Sequence, residues 1–88
     1  MITSEQRELM RNAILGILDA NGSKYGVGLG AIAIFLRPLG FRVSADELRP
    51  EVQYLEDKGF VLPISKLVSP ENRVWRITAE GRDYCAIQ

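Results

Sequence analysis

Apolar positions recur at helical spacing near the start of the chain: Met10, Ala13, Ile14, Ile17 and Leu18 fall on one stripe, while Arg7, Glu8, Arg11, Asn12 and Asp19 mostly keep to the other side. This predicts a core-facing surface helix from about Ser4 to Ala20, with Thr3 or Ser4 as its cap and Glu5 and Glu8 near the positive end of its dipole. Asn21-Gly22-Ser23 supplies a left-handed stop, and Lys24-Tyr25-Gly26 crosses to the next element with a strand-like residue or two. From Val27 to Leu36 the polar face disappears, because Val-Gly-Leu-Gly-Ala-Ile-Ala-Ile-Phe-Leu is apolar on every side of a helix. Leu29, Ile32 and Leu36 are expected to face the core with Phe35 beside them, which leaves Val27, Ala31 and Ile34 without a partner in so small a domain. A helix hydrophobic all round is buried, so either the first helix wraps over this side or a second subunit covers it as a homodimer. Arg37-Pro38-Leu39-Gly40 ends the element, and Phe41-Arg42-Val43 turns into the next.

The third helix is the best specified. Ser44-Ala45-Asp46-Glu47 has the capping-box pattern, in which the Ser44 hydroxyl accepts the N–H of Glu47 and the Glu47 carboxylate accepts the N–H of Ser44. Leu48, Val52 and Leu55 follow on one narrow face, and Gly59 can take the left-handed conformation that ends a helix. Pro50 lacks an N–H, so it either bends this helix or marks its effective start. Phe60-Val61-Leu62-Pro63-Ile64-Ser65-Lys66-Leu67-Val68 reads as a strand confined to a sheet edge by Pro63. Ser69-Pro70-Glu71-Asn72 is a turn, and Arg73-Val74-Trp75-Arg76-Ile77-Thr78 returns with Val74 and Arg76 on one face and Trp75 and Ile77 on the other. The two strands form a hairpin. A short closing helix, capped by Thr78, carries Tyr84 and Cys85 back to the core.

Composition narrows the classes. Eighty-eight residues, 47% of them hydrophobic, allow one domain over 1–88 with one core. Eleven basic and eleven acidic residues cancel, without the positive excess usual in nucleic-acid binders. Histidine is absent and Cys85 is the single cysteine, so the usual zinc sets and an internal disulfide are unavailable and no cofactor is expected. The N-terminal residues lack the basic and apolar regions of a signal peptide, and the apolar run from Val27 is too short to cross a bilayer. A cytoplasmic protein without membrane contact is expected.

Two local patterns carry a family resemblance. Leu55-Glu56-Asp57-Lys58-Gly59-Phe60-Val61 is similar to the end of the recognition helix in many bacterial winged-helix regulators. Trp75-Arg76-Ile77-Thr78-Ala79-Glu80-Gly81-Arg82-Asp83-Tyr84 is similar to the segment leaving the wing in multiple-antibiotic-resistance-type and phenolic-acid-repressor-type regulators. The chain also resembles small winged-helix proteins of bacteriophages and prophages. The resemblance covers essentially the whole chain and implies an α+β winged helix-turn-helix: a three-helix core, a two-stranded wing and a short C-terminal helix.

On that scaffold the third helix would present the residues opposite its apolar stripe, namely Asp46, Arg49, Pro50, Gln53 and Asp57, with Tyr54 at the margin. Arg49 and Gln53 can make bidentate contacts to guanine and adenine. The helix as a whole is acidic, with Asp46, Glu47, Glu51, Glu56 and Asp57 against Arg49 and Lys58, a net charge of minus three. Cations lie elsewhere: Lys24, Arg37 and Arg42 before the helix, and Lys66, Arg73 and Arg76 against Glu71 on the wing. The expected function is therefore duplex DNA binding in transcription or in a phage, with Arg49 and Gln53 for bases and Arg42, Lys66, Arg73 and Arg76 for phosphates. The competing expectation is a protein-interaction module whose acidic third helix binds a basic partner. Gly26-x-Gly28-x-Gly30 precedes a helix, but neither a βαβ unit nor a Walker lysine accompanies it, so a nucleotide loop is not expected. Trp75 is expected to seal the core against the third helix and Cys85 to be a small apolar filler. No small-molecule ligand is indicated, and with no carboxylate pair, metal set or nucleophile-base arrangement an enzyme is not expected.

Overall fold

A computed structural model describes residues 3–21, 26–64 and 74–87. The first helix, α1, spans Ser4–Asn21. The Thr3 hydroxyl accepts the N–H of Gln6 at 3.2 Å and the Gln6 side-chain oxygen accepts the N–H of Thr3 at 3.1 Å, so Thr3 is the cap of a reciprocal box. At the other end the Asn21 amide donates to the Ile17 carbonyl at 3.0 Å. A short strand, β1 (Val27–Gly28), leads into α2 (Leu29–Leu36), which tightens into a 3-10 turn over Arg37–Leu39. Helix α3 covers Ala45–Asp57, strands β2 and β3 cover Val61–Ile64 and Val74–Ile77, and α4 covers Ala79–Ile87. Among the described residues no helix is long and apolar enough to cross a membrane, and no group of potential metal ligands is present.

The capping box of α3 is present, with Ser44 and Glu47 exchanging bonds of 3.1 and 3.2 Å. Pro50 lies inside α3 and the helix runs through it, neither starting nor stopping there. Its far end is a Schellman stop: Gly59 sits at φ 81°, the Phe60 N–H donates to the Leu55 carbonyl at 3.0 Å and the Gly59 N–H to the Glu56 carbonyl at 2.9 Å. The chain then enters β2. Thr78 ties this stop to the end of the hairpin, since its N–H donates to the Phe60 carbonyl at 3.0 Å and its hydroxyl donates to the Gly59 carbonyl at 2.6 Å. The same hydroxyl oxygen accepts the Gly81 N–H at 3.0 Å and so caps α4, as expected.

The sheet differs from expectation. The expected hairpin of β2 and β3 is present, and a third strand is added to it in the order β1-β3-β2, because Val27 pairs with Trp75 and Gly28 with Val74. Val27 therefore belongs to a strand and not to the second helix, which starts two residues later. The reason is backbone satisfaction: a buried valine must place its N–H and C=O somewhere, and the inner edge of β3 offers partners. β2 takes the other edge, consistent with Pro63, and pairs Val61 with Ile77 through Ile64 with Val74. The expected continuation of this strand, Ser65 to Val68, lies outside the described residues.

The core is one cluster. Met10, Ile14, Leu15, Ile17 and Leu18 of α1 meet Ile32, Ala33 and Leu36 of α2 and Leu48, Val52 and Leu55 of α3, closed from the sheet by Val27, Val61, Trp75 and Ile77. Trp75 seals it against α3 as expected, and its indole N–H donates to Glu56 at 3.1 Å. Tyr84 of α4 stacks on Phe60 with centroids 4.7 Å apart. Gly81 marks the tightest approach, for a Cβ there would collide with the Phe60 carbonyl oxygen and lie 2.7 Å from Ile77 Cγ1. Gly81→Ala is accordingly expected to lower the stability of the chain by about 2 kcal/mol or more, because backbone cannot yield to the added carbon as a side-chain end would. Urea unfolding followed by Trp75 fluorescence measures it.

Candidate nucleic-acid interface

The exposed side of α3 carries the residues expected there. Asp46, Arg49, Pro50, Gln53 and Asp57 are all exposed, and Tyr54 lies at the margin. Their spacing of three or four residues places them along one line of the helix, opposite the buried Leu48, Val52 and Leu55. Along this line Arg49 and Gln53 each touch an acid: Arg49 Nη2 lies 3.6 Å from Asp46 Oδ1, and the Gln53 amide donates to Asp57 Oδ1 at 3.0 Å.

The acidity of the helix is distributed unevenly. Glu51 is 7% exposed and points away from the line. It accepts from Arg11 Nε at 2.9 Å and lies 3.5 Å from Arg7 Nε, so α1 neutralises it across the helix pair. Glu56 receives the Trp75 indole N–H, and Glu47 receives the Ser44 N–H in the capping box. The net charge of minus three counted along the segment thus overstates what the outer face presents, where Asp46 and Asp57 stand against Arg49, with Lys58 near the end. Arg11 also lies over the Tyr54 ring at 3.8 Å, with Lys58 on the same ring at 5.6 Å. This clamps the margin of the line to α1.

Arg7, Arg11 and Glu51 did not stand out in the sequence as a set. A signal was present: at 100° per residue Glu51 falls next to Leu55 at the edge of the buried arc, and a carboxylate there needs a cationic partner. Which residue supplies the cation is a tertiary matter, since Arg11 is forty positions away.

The remaining expected residues are placed as follows. Arg42 is exposed in the turn just before the Ser44 cap, and Arg76 is exposed on the outer face of the sheet opposite Leu62. Lys24, Lys66 and Arg73 lie outside the described residues. Of the expected dimer face, Val27 is 6% exposed and belongs to the core of its own chain, whereas Ala31 is exposed and Ile34 is 60% exposed. Phe35 at 42% and Leu39 at 57% extend that exposed strip, where Phe35 was expected beside the core. Ala33 takes the inward position instead. A groove of about 460 Å³ lies between α1 and the end of α3, lined among others by Glu8, Arg11, Tyr54, Lys58, Phe60 and Tyr84. Arg11 is already held by Glu51, and the rings stack on each other or on Arg11, so no ligand is assigned to it.

The element order, the three-stranded sheet and a helix with one exposed polar line define the architecture. This chain has the winged-helix fold. The Bacillus subtilis PadR structure, a complex with operator DNA, superposes with a TM-score of 0.70 at 17% sequence identity. The match covers 90% of this chain and 46% of that one, so the winged-helix chain described here spans about half the length of PadR. No protein-family model and no curated protein sequence matches the chain.

The Arg7–Arg11–Glu51 cluster adds an ionic contact between α1 and α3 of the winged-helix chain to the apolar core they share. Glu51→Ala is expected to destabilise the fold by about 1–3 kcal/mol, below the range for a fully buried pair because Arg7 and Arg11 keep partial access to water. Glu51→Gln should lose less, since it can still accept from Arg11. Equal losses for the two variants in urea unfolding would show that packing and not charge is what Glu51 contributes.

Proposed function

We propose that this chain is a DNA-binding protein of the winged-helix type that acts in transcription, with α3 in the major groove. The observation that carries the reading is the exposed line of α3: Arg49 and Gln53 stand on it, while Glu51 and Glu56 are turned to partners inside the molecule. Arg49 would meet guanine and Gln53 adenine, each by paired hydrogen bonds. Arg42 before the helix and Arg76 on the outer face of the sheet would take phosphates, joined by Lys66 and Arg73. The fold likeness to PadR, whose structure is a complex with operator DNA, supports the reading in kind. Such a role belongs in the cytoplasm and needs neither cofactor nor catalytic group. A place in a phage or prophage rests on the sequence resemblance alone. The competing reading, an acidic α3 that binds a basic protein, is weakened because three of its five acids, Glu47, Glu51 and Glu56, are held by partners away from the exposed line.

The test is a fluorescence-anisotropy titration of mixed-sequence duplex DNA at several salt concentrations. Binding is expected at low salt, with a negative slope of log affinity against log salt of about 0.9 for each phosphate neutralised. Arg42→Ala with Arg76→Ala should flatten that slope by about 2 in total, and Arg49→Ala should leave it nearly unchanged while lowering affinity for a preferred site. No binding even at the lowest salt would remove the DNA-binding reading.

We further propose that the chain dimerises through α2, supported by the exposed strip of Ala31, Ile34, Phe35 and Leu39. Sedimentation equilibrium is expected to give a dimer at tens of micromolar, on the order of what a small apolar interface sustains, and Ile34→Glu should give a folded monomer. A monomeric wild type at high concentration would refute the dimer and leave the DNA reading standing.

A further inference from the structure

The pair at the start of the exposed line carries more than its stability. Asp46 and Arg49 are one turn apart, their side chains are 90% and 70% exposed, and the closest approach is 3.6 Å. A pair so open to water adds little to folding. What it does is restrict Arg49, whose long side chain otherwise samples many rotamers, to the side of the helix where Asp46 stands. It also leaves most of the Asp46 carboxylate free to accept further hydrogen bonds, as an ionised carboxylate has about four acceptor positions.

We infer that Asp46 is a specificity-determining residue, which accepts a hydrogen bond from a cytosine amino group on the base pair next to the guanine taken by Arg49. The inference rests on the DNA-binding reading above and names the kind of site that reading leaves open. Three residues of helix rise about 4.5 Å, close to the roughly 3.4 Å between stacked bases, so with Arg49 on one base pair Asp46 lies against its neighbour. Only cytosine and adenine present amino donors in the major groove. Adenine places the N7 acceptor beside its amino group, where it repels a carboxylate, whereas cytosine presents its donor without that neighbour. Asp46 is also in the first turn of α3, where the helix dipole offsets part of its charge. A carboxylate is thereby better tolerated near the phosphates than its charge alone implies.

The experiment is selection of bound duplexes from a library with a randomised core, followed by sequencing, with wild type, Asp46→Asn, Asp46→Ala and Asp57→Asn. The Ser44–Glu47 box does not involve Asp46, and circular dichroism of each variant checks that α3 is intact. Wild type is expected to enrich a guanine with a cytosine on the adjacent pair, favoured about tenfold over other bases. Asp46→Ala should reduce that cytosine preference to below about twofold while the guanine preference persists, and Asp46→Asn should move it toward adenine, which an amide reads by donating and accepting at once. Asp57→Asn removes the same charge at the other end of the line, where its contact is with Gln53, and should raise affinity for all duplexes while leaving the cytosine preference beside the guanine intact. If both Asp46 variants only raise affinity generally and keep the wild-type preference, or if wild type shows no cytosine beside its guanine, the inference is overturned and the DNA reading survives. Failure of wild type to retain any duplex at low salt overturns both.

Discussion

Four segments of this fold meet at one hydrogen-bonded joint, and the positions of α3, the sheet and α4 all depend on it. Gly59 turns the chain out of α3, Phe60 starts it into β2, Thr78 ends β3, and Gly81 sits in the first turn of α4. Thr78 binds on both sides of the junction, donating its hydroxyl to the Gly59 carbonyl and its N–H to the Phe60 carbonyl while accepting from Gly81. Each of these groups is a helix-end or strand-end polar group that would otherwise need water in a part-buried place. The hydroxyl of one threonine satisfies two of them at once. The absence of a side chain at Gly81 lets α4 approach the Phe60 carbonyl, and Tyr84 then stacks on the Phe60 ring, so polar and apolar contacts fix the same angle.

This joint explains why the fold was legible in the sequence. The two patterns that carry the family resemblance, Leu55 to Val61 and Trp75 to Tyr84, are its two halves, separated along the chain and joined in space. Each codes local chemistry: a left-handed glycine after a helix in one, a threonine cap and a close-packed glycine in the other. The same holds for the Ser44–Glu47 box, whose partners are three residues apart, and for the Leu48-Val52-Leu55 stripe, whose members recur at three or four residues along one helix. Features that need a distant partner were read less well. Val27 looked like helix because its apolar run continues into α2, and only pairing with Trp75 makes it strand. Phe35 was expected beside the core and is instead exposed, with Ala33 turned inward, because an all-apolar helix contains no internal mark of which side faces the core.

The candidate site shows the same division. Exposure of Asp46, Arg49, Pro50, Gln53 and Asp57 follows from geometry around a single helix, and they stand together as read. The charge of that helix was misleading when counted along the chain, since the count gives equal weight to an exposed carboxylate and to one held between two arginines of another helix. Glu51 is an acid of the α1–α3 contact, not of the outer face. Its cationic partners come from the polar side of α1, which the sequence presents as a plain solvated face. The electrostatics of α3 therefore became readable only once α1 was packed against it.

A near-neutral outer line has a consequence for how a duplex would be held on the DNA-binding reading. Non-specific affinity comes mainly from neutralised phosphates, and a face with two aspartates, one arginine and a glutamine supplies almost none. Positioning would then fall to cations outside the helix, Arg42 at its entrance and Arg76 across the sheet, and these would be insensitive to base identity. With the two tasks on separate elements, the wrong sequence would lose the base contacts of α3 and keep only a weak electrostatic hold. A strongly basic recognition helix would keep most of its affinity on any duplex. The quantity such an arrangement raises is the ratio of specific to non-specific affinity, not the affinity itself, and among many competing sites it is that ratio which decides occupancy.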